Sequence, residues 1–335
     1  MSLYDEMRRY AALEPLRLHT PGHKGALSDV DITELSDHSF PADGIAMAQK
    51  KAAASYGVKH AHYLCGGSSQ GVKSALFFAR KNAVIDINSH RAVYDGFEIS
   101  GKKYIAAGKG PGIKPITVEQ IESALTPDTG AVVITSPTYF GYTADVVAIS
   151  ELCRRKGLTF IIDGAHGAHF GFSKRLPAFA PYCDICNVST HKTLSALTQT
   201  ALLLDNLDEA QSERLDDVVD LMGTTSPSYL LYASIEYAVD KACGDEARYE
   251  ALFDPIAQMK KSLPFLQNDD FTRPVLDARA LGVDAYALND ALARRGVFSE
   301  VATYRHIVFI FTAENTPADV ARLESALHSA ITELK

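Results

Sequence analysis

Two polar segments of this 335-residue sequence each follow a short apolar run and carry a residue that could do chemistry. Asp163 follows the run at 158–162, and Lys192 comes soon after the run at 185–188. Short runs rich in Val, Ile and Phe are typical of buried strands, so we expect both side chains at one edge of a sheet. A carboxylate beside an amine is either a structural ion pair or the acid and amine that pyridoxal 5′-phosphate (PLP) requires.

The PLP interpretation gives each group a separate task. The amine forms an imine with the aldehyde of the cofactor, and the carboxylate keeps the pyridine nitrogen protonated so that the ring accepts electrons. The loop from Cys65 to Gly71 precedes a helical segment at 72–81, and backbone N–H groups at a helix start attract an anion such as a phosphate. By itself such a loop is weak evidence, because many helices start this way without a ligand.

Strands and helices alternate through the region that contains these residues. The sequence predicts strands at 83–87, 131–135, 158–162 and 185–188, with helices that include one from Thr117 and one from Asp145 to Lys156. This alternation predicts an α/β fold with a mostly parallel central sheet covered by helices. Ligands of such sheets gather beyond the carboxyl ends of the strands. The polar residues that follow these strands are His90, Ser136 to Tyr139, Asp163 and Ser189 to Lys192.

The same patterns predict three parts of the chain. Residues 1–44 combine an N-terminal helix at about 3–13 with an irregular active-site loop, and residues 45–249 form the large PLP-binding domain. Residues 250–335 form a small C-terminal α/β domain of ordinary size. In that domain the predicted elements are strands at 271–276 and 307–312, a helix at 284–295 and a last helix capped by Thr316.

Composition argues against several classes of protein. The net charge is −8 with no long Lys/Arg run, which disfavours nucleic acid and anionic membranes as partners. The apolar stretches are shorter than the ~20 residues of a membrane span, and the charged N-terminus lacks a signal-peptide core. Five scattered cysteines suit a reducing cytoplasm. The pairs Cys183/Cys186 and His166/His169 lack further ligands at telling spacings, so no metal is expected.

Eight motifs together resemble the bacterial-type Orn/Lys/Arg decarboxylases, which are PLP enzymes of the aspartate-aminotransferase fold (fold type I). They occur in family order from about residue 5 to 245. The matching segments are His19 to Gly25, Asp31 to Leu35, Gly67 to Gly71, Asn88 to His90, Ser136 to Gly141, Asp163 to His169, Ser189 to Thr193 and Thr225 to Tyr229.

The resemblance implies a role for individual residues. Lys192 is similar to the Schiff-base lysine and Asp163 to the partner of the pyridinium nitrogen, with His191 a further catalytic candidate. His90 would stack on one face of the cofactor ring and Ala165 would pack on the other. The resemblance further implies cofactor contacts from Gly67, Ser68, Ser69, His166, Ser189 and His191, and from Thr225 and Ser226, whose loop in the family reaches the neighbouring subunit. A homodimer with shared active sites is therefore implied.

The chain also departs from the family pattern. Arg91 stands where lysine is usual, and Gly164 stands where glutamate is often found. The family's usual C-terminal domain, with its Pro-Gly-rich segment, is absent from this sequence. Since that region helps to shape the substrate pocket, the substrate and the reaction stay open.

The function expected from the sequence is decarboxylation of an amino acid, and a basic one: lysine, ornithine or arginine. His23, Tyr139, Glu300 and Arg305 are the substrate-contact candidates. Glu300 resembles the family's glutamate after the predicted helix at 284–295, which implies that it pairs with a distal ammonium. A surface carboxylate and a strand-edge arginine are the alternative explanations for Glu300 and Arg305. Two alternative functions also stay open: another PLP reaction (aminotransfer, β-elimination or aldol cleavage), and a non-catalytic PLP-binding homologue.

Overall fold

The structure is a computed structural model that describes residues 2–32, 42–79, 81–110 and 112–335. Part of one motif noted above, Thr33 to Leu35, lies outside these residues. The helices are α1 (Leu3–Ala11), α2 (Ala42–Tyr56), α3 (Gly67–Phe78), α4 (Arg91–Ser100), α5 (Val118–Ala124), α6 (Val146–Lys156), α7 (Thr190–Thr193), α8 (Glu209–Leu221), α9 (Tyr229–Ala242), α10 (Glu246–Ser262), α11 (Ala285–Ala293) and α12 (Pro317–Leu334). None of the helices in the described ranges is both long and apolar enough to cross a bilayer.

Within the described part, seven strands form the central sheet. They are β1 (His60–Leu64), β2 (Asn82–Asp86), β3 (Tyr104–Ala107), β4 (Thr129–Thr135), β5 (Thr159–Asp163), β6 (Ile185–Val188) and β7 (Ala201–Asp205). Their spatial order is β1-β7-β6-β5-β4-β2-β3, and β7 runs antiparallel to both of its neighbours. The other pairs are parallel, so the predicted α/β fold with a mostly parallel sheet is confirmed.

Helices cover both faces of this sheet. Successive side chains of a strand point to opposite faces. Ile162 therefore shares a core with apolar residues of α1, α2 and α9, whereas its neighbour Ile161 shares a core with residues of α3, α4 and α8. Covering on both sides explains why the central strands read as continuous apolar runs. It also leaves the strand ends as the place where polar side chains can collect.

Local sequence signals determine where several helices begin and end. Thr117 and Gln120 form a capping box at the start of α5, and Asp145 caps α6. Gly157 ends α6 in the left-handed conformation, with φ 63°. Helix α3 begins at Gly67, earlier than predicted, so Ser68 and Ser69 lie in its first turn.

A smaller three-stranded sheet is formed in the described C-terminal part by β8 (Val275–Asp277), β9 (Val301–Ala302) and β10 (His306–Val308), in the order β8-β10-β9. Helix α11 packs on this sheet and α12 packs on α10 and α11. The strand predicted at 271–276 is wrong at its start. Thr272 donates from its N–H and its hydroxyl to Asp270 Oδ1 at 3.0 and 2.6 Å, which makes a turn there instead of a strand.

His62 on β1 lies between two carboxylates. Its Nε2 is 2.9 Å from Asp205 Oδ2, and its Nδ1 is 2.8 Å from Asp216 Oδ1. Burial lowers the pKa of His62, but the two carboxylates outweigh this effect and raise the pKa to about 9. The His62 partner likewise outweighs burial at Asp205, so the pKa of that carboxyl is lowered.

The raised pKa of His62 predicts a pH-dependent stability. The contribution of His62 to the free energy of unfolding is fully present below its ordinary pKa of 6.5 and is lost as the pH rises through about 9. We expect the free energy of unfolding in urea to fall by up to about 3 kcal/mol over this interval. The double variant His62→Gln/Asp205→Asn keeps polar groups without charge and should lose this part of the decline. The same decline in both proteins would contradict the assignment.

Candidate active site

Lys192 and Asp163 line one cavity of about 750 Å³ at the carboxyl ends of β2, β4, β5 and β6. The loops that follow these four strands supply most of its wall. Residues predicted from the sequence that line it are Gly67, Ser68, Ser69, His90, Tyr139, Asp163, Ala165, His166, Ser189, His191 and Lys192. Parallel strands end at the same edge of a sheet, which is why segments far apart in the sequence meet here.

Asp163, the last residue of β5, is buried with 3% of its surface exposed. Its Oδ1 accepts from the Asn187 side-chain amide at 3.2 Å and from the Ala165 N–H at 3.3 Å. Both hydrogen bonds use the same oxygen, which leaves Oδ2 for a ligand. Burial raises the pKa of the Asp163 carboxyl, and the charge of Lys192 partly opposes this rise. A protonated ring nitrogen beside it would keep the carboxylate ionised.

Lys192 lies in the short helix α7, directly after β6. Its Nζ is 3.3 Å from His166 Nε2. Burial lowers the pKa of the Lys192 ammonium; the charge of Asp163 opposes this effect and the charge of Arg273 adds to it. Lowering the pKa of a lysine increases the fraction present as the nucleophilic free amine. The arrangement therefore suits attack on a carbonyl carbon.

The first turn of α3 forms the end of the cavity suited to an anion. The hydroxyls of Ser68 and Ser69 lie there, and the hydroxyl of Ser68 is hydrogen-bonded to that of Ser189. Gly67 has φ 69°, a conformation that glycine adopts without strain, and it brings the backbone close to the cavity. Free N–H groups at a helix N-terminus attract a phosphate.

Two histidines at the cavity are held by backbone groups. His90 caps α4, its Nδ1 accepting from the Ala92 N–H at 3.1 Å. His191 donates from Nδ1 to the Thr200 carbonyl oxygen at 2.7 Å, so its Nε2 is the nitrogen without a proton when the ring is neutral. His90 and Ala165 both line the cavity, which is compatible with their predicted places on opposite faces of a ring.

The substrate-contact candidates lie in different places. Tyr139 lines the cavity, and its hydroxyl donates to Glu300 at 3.1 Å. His23 is outside the cavity lining of its own chain and lies 3.0 Å from Asp31. Arg305 makes an ion pair with Asp277 at 2.7 Å, which agrees with the strand-edge alternative. Thr225 and Ser226 are exposed on a loop away from this cavity.

Several residues that orient the side chains of the cavity were not predicted from the sequence. Asn187 on β6 orients Asp163, and Arg273 donates to His166 Nδ1 at 3.0 Å. Asp270 in turn lies 3.3 Å from His169 and 3.6 Å from Arg273. Nothing in the local pattern around Arg273 marked it as buried, and it was predicted within a strand. Asn187 lies within the predicted strand at 185–188 and could have been found as a polar residue in an apolar run, on the strand next to Asp163.

Gly164 explains one departure from the family pattern. A Cβ at this position would lie 2.7 Å from the Phe179 ring and 3.1 Å from the Asn187 carbonyl oxygen. The Phe179 ring would have to shift to make room for a Cβ, so the aromatic packing of this chain favours glycine after Asp163.

Two residues of the cavity wall carry buried hydroxyls. Ser89 and Thr135 line the cavity, and their hydroxyls have no hydrogen-bond partner among the described residues. A buried acid, a buried amine and a helix N-terminus match the ring nitrogen, the aldehyde and the phosphate of PLP. Fold and site together define a PLP-binding protein of fold type I.

Residues 26–278 match a family model described as "Orn/Lys/Arg decarboxylase, major domain". The chain belongs to this family, as the motifs predicted.

Individual relatives agree with the family assignment. The arginine decarboxylase of Bacillus subtilis (strain 168) is 27% identical, over 97% of this chain and 76% of the relative. The structure is similar to the Francisella novicida lysine decarboxylase LdcF, with a TM-score of 0.80, 18% identity and coverage of 98% of this chain. This chain spans 59% of the length of LdcF. The Sphingomonas wittichii serine palmitoyltransferase is also similar, with a TM-score of 0.69, 17% identity and coverage of 87% of this chain and 77% of that one. The family and these neighbours imply PLP as the cofactor.

Proposed function

We propose that this chain is a PLP-dependent decarboxylase that acts on a basic amino acid. The observation that carries the proposal is the meeting of Lys192 and Asp163 in one cavity, with a carboxylate, Glu300, hydrogen-bonded to Tyr139 of the cavity wall. The acid and the amine serve the cofactor, and the third group suits a cationic substrate side chain. Family membership and the names of the relatives support the same reaction.

Several residues of this chain have separate roles in the proposed reaction. Bound PLP supplies a cationic ring that stabilises the electron pair left at Cα when carbon dioxide departs. Lys192 would bind the cofactor through its amine, and Asp163 would hold the proton on the ring nitrogen. His90 and Ala165 would contact the ring, and the first turn of α3 would bind the phosphate. Lys192 or His191 holds the proton that replaces the carboxylate at Cα.

A panel of amino acids tests the reaction. The purified protein is loaded with PLP and incubated with arginine, lysine, ornithine and neutral amino acids. Release of carbon dioxide with formation of the amine from a basic substrate is the expected result. Production of a keto acid or ammonia in its place would indicate another PLP reaction. Binding of PLP without turnover of any substrate would indicate a non-catalytic homologue.

Glu300 is proposed to pair with the distal cation of the substrate. It is exposed, yet close enough to Lys192 to raise the pKa of that lysine. In Glu300→Gln we expect KM for the basic substrate to rise about five- to tenfold with little change in kcat, because a partly exposed ion pair is lost.

The control is norleucine, which resembles lysine without the distal amine. Its KM should be equal in the wild type and in Glu300→Gln. A parallel rise for both substrates would show that Glu300 acts on the pocket as a whole and does not bind the cation.

We further propose a homodimer with shared active sites. Leu16, Leu18 and Leu27 are 84%, 83% and 87% exposed, and these apolar side chains would be covered by a second copy. The exposed loop of Thr225 and Ser226 would then reach the phosphate in the partner's cavity.

A mixture of Lys192→Ala and Ser226→Arg protein tests shared sites and should recover up to about a quarter of the wild-type activity. With random pairing, half of the dimers contain one chain of each variant, and one of the two sites in such a dimer is intact. Two inactive variants that stay inactive together would exclude shared sites.

A cytoplasmic location is proposed from the cysteines. All five are free: Cys65, Cys153, Cys183 and Cys186 are buried and Cys243 is exposed. Thiols persist in a reducing compartment. Recovery of the native protein in the membrane or secreted fraction of its source cells would contradict this location.

A further inference from the structure

Arg273 makes a contact that determines which nitrogen of His166 carries the proton. Arg273 is completely buried, and its NH1 is 3.0 Å from His166 Nδ1. A guanidinium has five N–H donors and no acceptor, so Nδ1 must be the accepting nitrogen. The proton of the neutral imidazole is therefore on Nε2. Burial, Arg273 and Lys192 lower the pKa of His166 well below its ordinary value, which agrees with a ring that stays neutral.

The protonated nitrogen of His166 faces Lys192. The distance from His166 Nε2 to Lys192 Nζ is 3.3 Å. An Nε2–H group needs an acceptor, and an ammonium has no lone pair to offer, whereas a free amine has one. The contact is therefore favourable only when the lysine is unprotonated. Other charged or titratable groups around this pair are Asp163, His90, His169 and Glu300, and the two carboxylates among them favour the protonated lysine.

Arg273 is itself held in place on three sides. NH1 also donates to the Tyr139 carbonyl oxygen at 3.2 Å, and NH2 donates to the His166 carbonyl oxygen at 3.4 Å. Its Nε lies 3.6 Å from the fully buried Asp270, which balances the charge of the guanidinium. The arginine thus has a fixed orientation toward His166, which lies 107 residues earlier in the sequence.

We propose that Arg273 is a positioning residue that fixes His166 as the Nε2–H tautomer, through which the Lys192 side chain is held as a free amine in the cofactor-free protein. A free amine attacks the aldehyde of the cofactor, whereas an ammonium does not. This use of the amine rests on the proposed function. The tautomer and the state of the lysine do not rest on it and can be measured without turnover.

The tautomer is tested first in the cofactor-free wild type. Histidine labelled with ¹⁵N in the ring is observed by two-bond ¹H–¹⁵N correlation, and His166 is assigned by the signal that disappears in His166→Gln. We expect an unprotonated Nδ1 and a protonated Nε2 from about pH 6 to about pH 9, an interval that includes the ordinary histidine pKa. An Nδ1–H tautomer or an imidazolium in this interval would overturn the proposal. This measurement does not depend on any variant of Arg273.

The second test compares the reactivity of Lys192 in variants of Arg273. Arg273→Lys keeps a buried donor and its charge, whereas Arg273→Met/Asp270→Asn removes both without leaving an unpaired buried carboxylate. Trace acetylation with acetic anhydride near neutral pH, read by mass spectrometry, gives the reactivity of Lys192 relative to the exposed Lys174. We expect at least about a fivefold loss in the double variant and a value within about twofold of the wild type in Arg273→Lys.

The outcomes separate this proposal from the function proposed above. Unchanged Lys192 reactivity in a folded double variant would overturn the role of Arg273, whatever the enzyme's reaction is. A mixture of His166 tautomers in the double variant and a single tautomer in Arg273→Lys would support it. Absence of decarboxylation by a wild type that shows the expected tautomer would instead contradict the proposed reaction alone.

Discussion

Lys192→Ala is expected to lower decarboxylation by on the order of 10⁴-fold or more, because it removes the amine that we propose binds the cofactor covalently. The visible absorbance band of the lysine-bound cofactor should be absent at the same time. The phosphate contacts proposed at the first turn of α3 remain, so PLP should still bind, weakly and reversibly. Absorbance spectra and turnover assays of the PLP-loaded protein measure both effects.

A second lysine serves as the control for this variant. Lys174 is exposed, and Lys174→Ala should leave both the spectrum and the turnover unchanged. Borohydride reduction of the wild type should fix the cofactor on the peptide that contains Lys192. Cofactor fixed on a different lysine, or an unchanged band in Lys192→Ala, would show that the acid and the amine of this cavity do not serve PLP.

Asp163→Asn is expected to lower kcat by on the order of 10³-fold. A neutral amide beside the ring nitrogen does not hold its proton, so the ring accepts electrons poorly. The introduced amide has the same shape as the carboxylate, and the hydrogen bond from Asn187 does not depend on the charge. The fold and PLP binding should therefore be retained. Turnover and the pH titration of the absorbance band measure the loss of the ring proton.

Two comparisons distinguish the role of the charge from the role of packing. Asp163→Glu restores a carboxylate and should recover part of the lost rate. Asp86 is also buried beside the cavity and accepts from Asn88 and from the Ile116 N–H. Asp86→Asn should lower kcat by less than about tenfold, since its partners are protein groups. Equal losses in Asp86→Asn and Asp163→Asn would argue against a special place for Asp163.

Local sequence patterns were sufficient to predict the framework of the larger part. Apolar runs, capping residues and glycines at helix ends depend on near neighbours in the chain, so the strands at 131–135 and 185–188 and the ends of α6 could be placed from the sequence. The polar segments after those strands, together with their motifs, were enough to predict PLP and the family. The strand predicted at 307–312 is shorter in the structure, where β10 ends at Val308.

Strand order and long-range contacts depend on packing, which local patterns do not contain. Local patterns did not predict β1 or β7, and β1 alternates histidines with apolar residues. Their antiparallel pairing places His62 against Asp205, 143 positions later in the chain.

By itself, the sequence determined an α/β framework, the acid and the amine at its edge, and the family to which they belong. The framework and the two polar residues follow from residue types and from short-range periodicity, and the family follows from the resemblance of the motifs. Only the tertiary structure decided that Arg273 lies behind His166 and that Glu300 meets Tyr139, contacts that join positions 107 and 161 residues apart. A side chain such as Arg273 has no local signal of burial, because its partners are supplied by another part of the chain when the core packs.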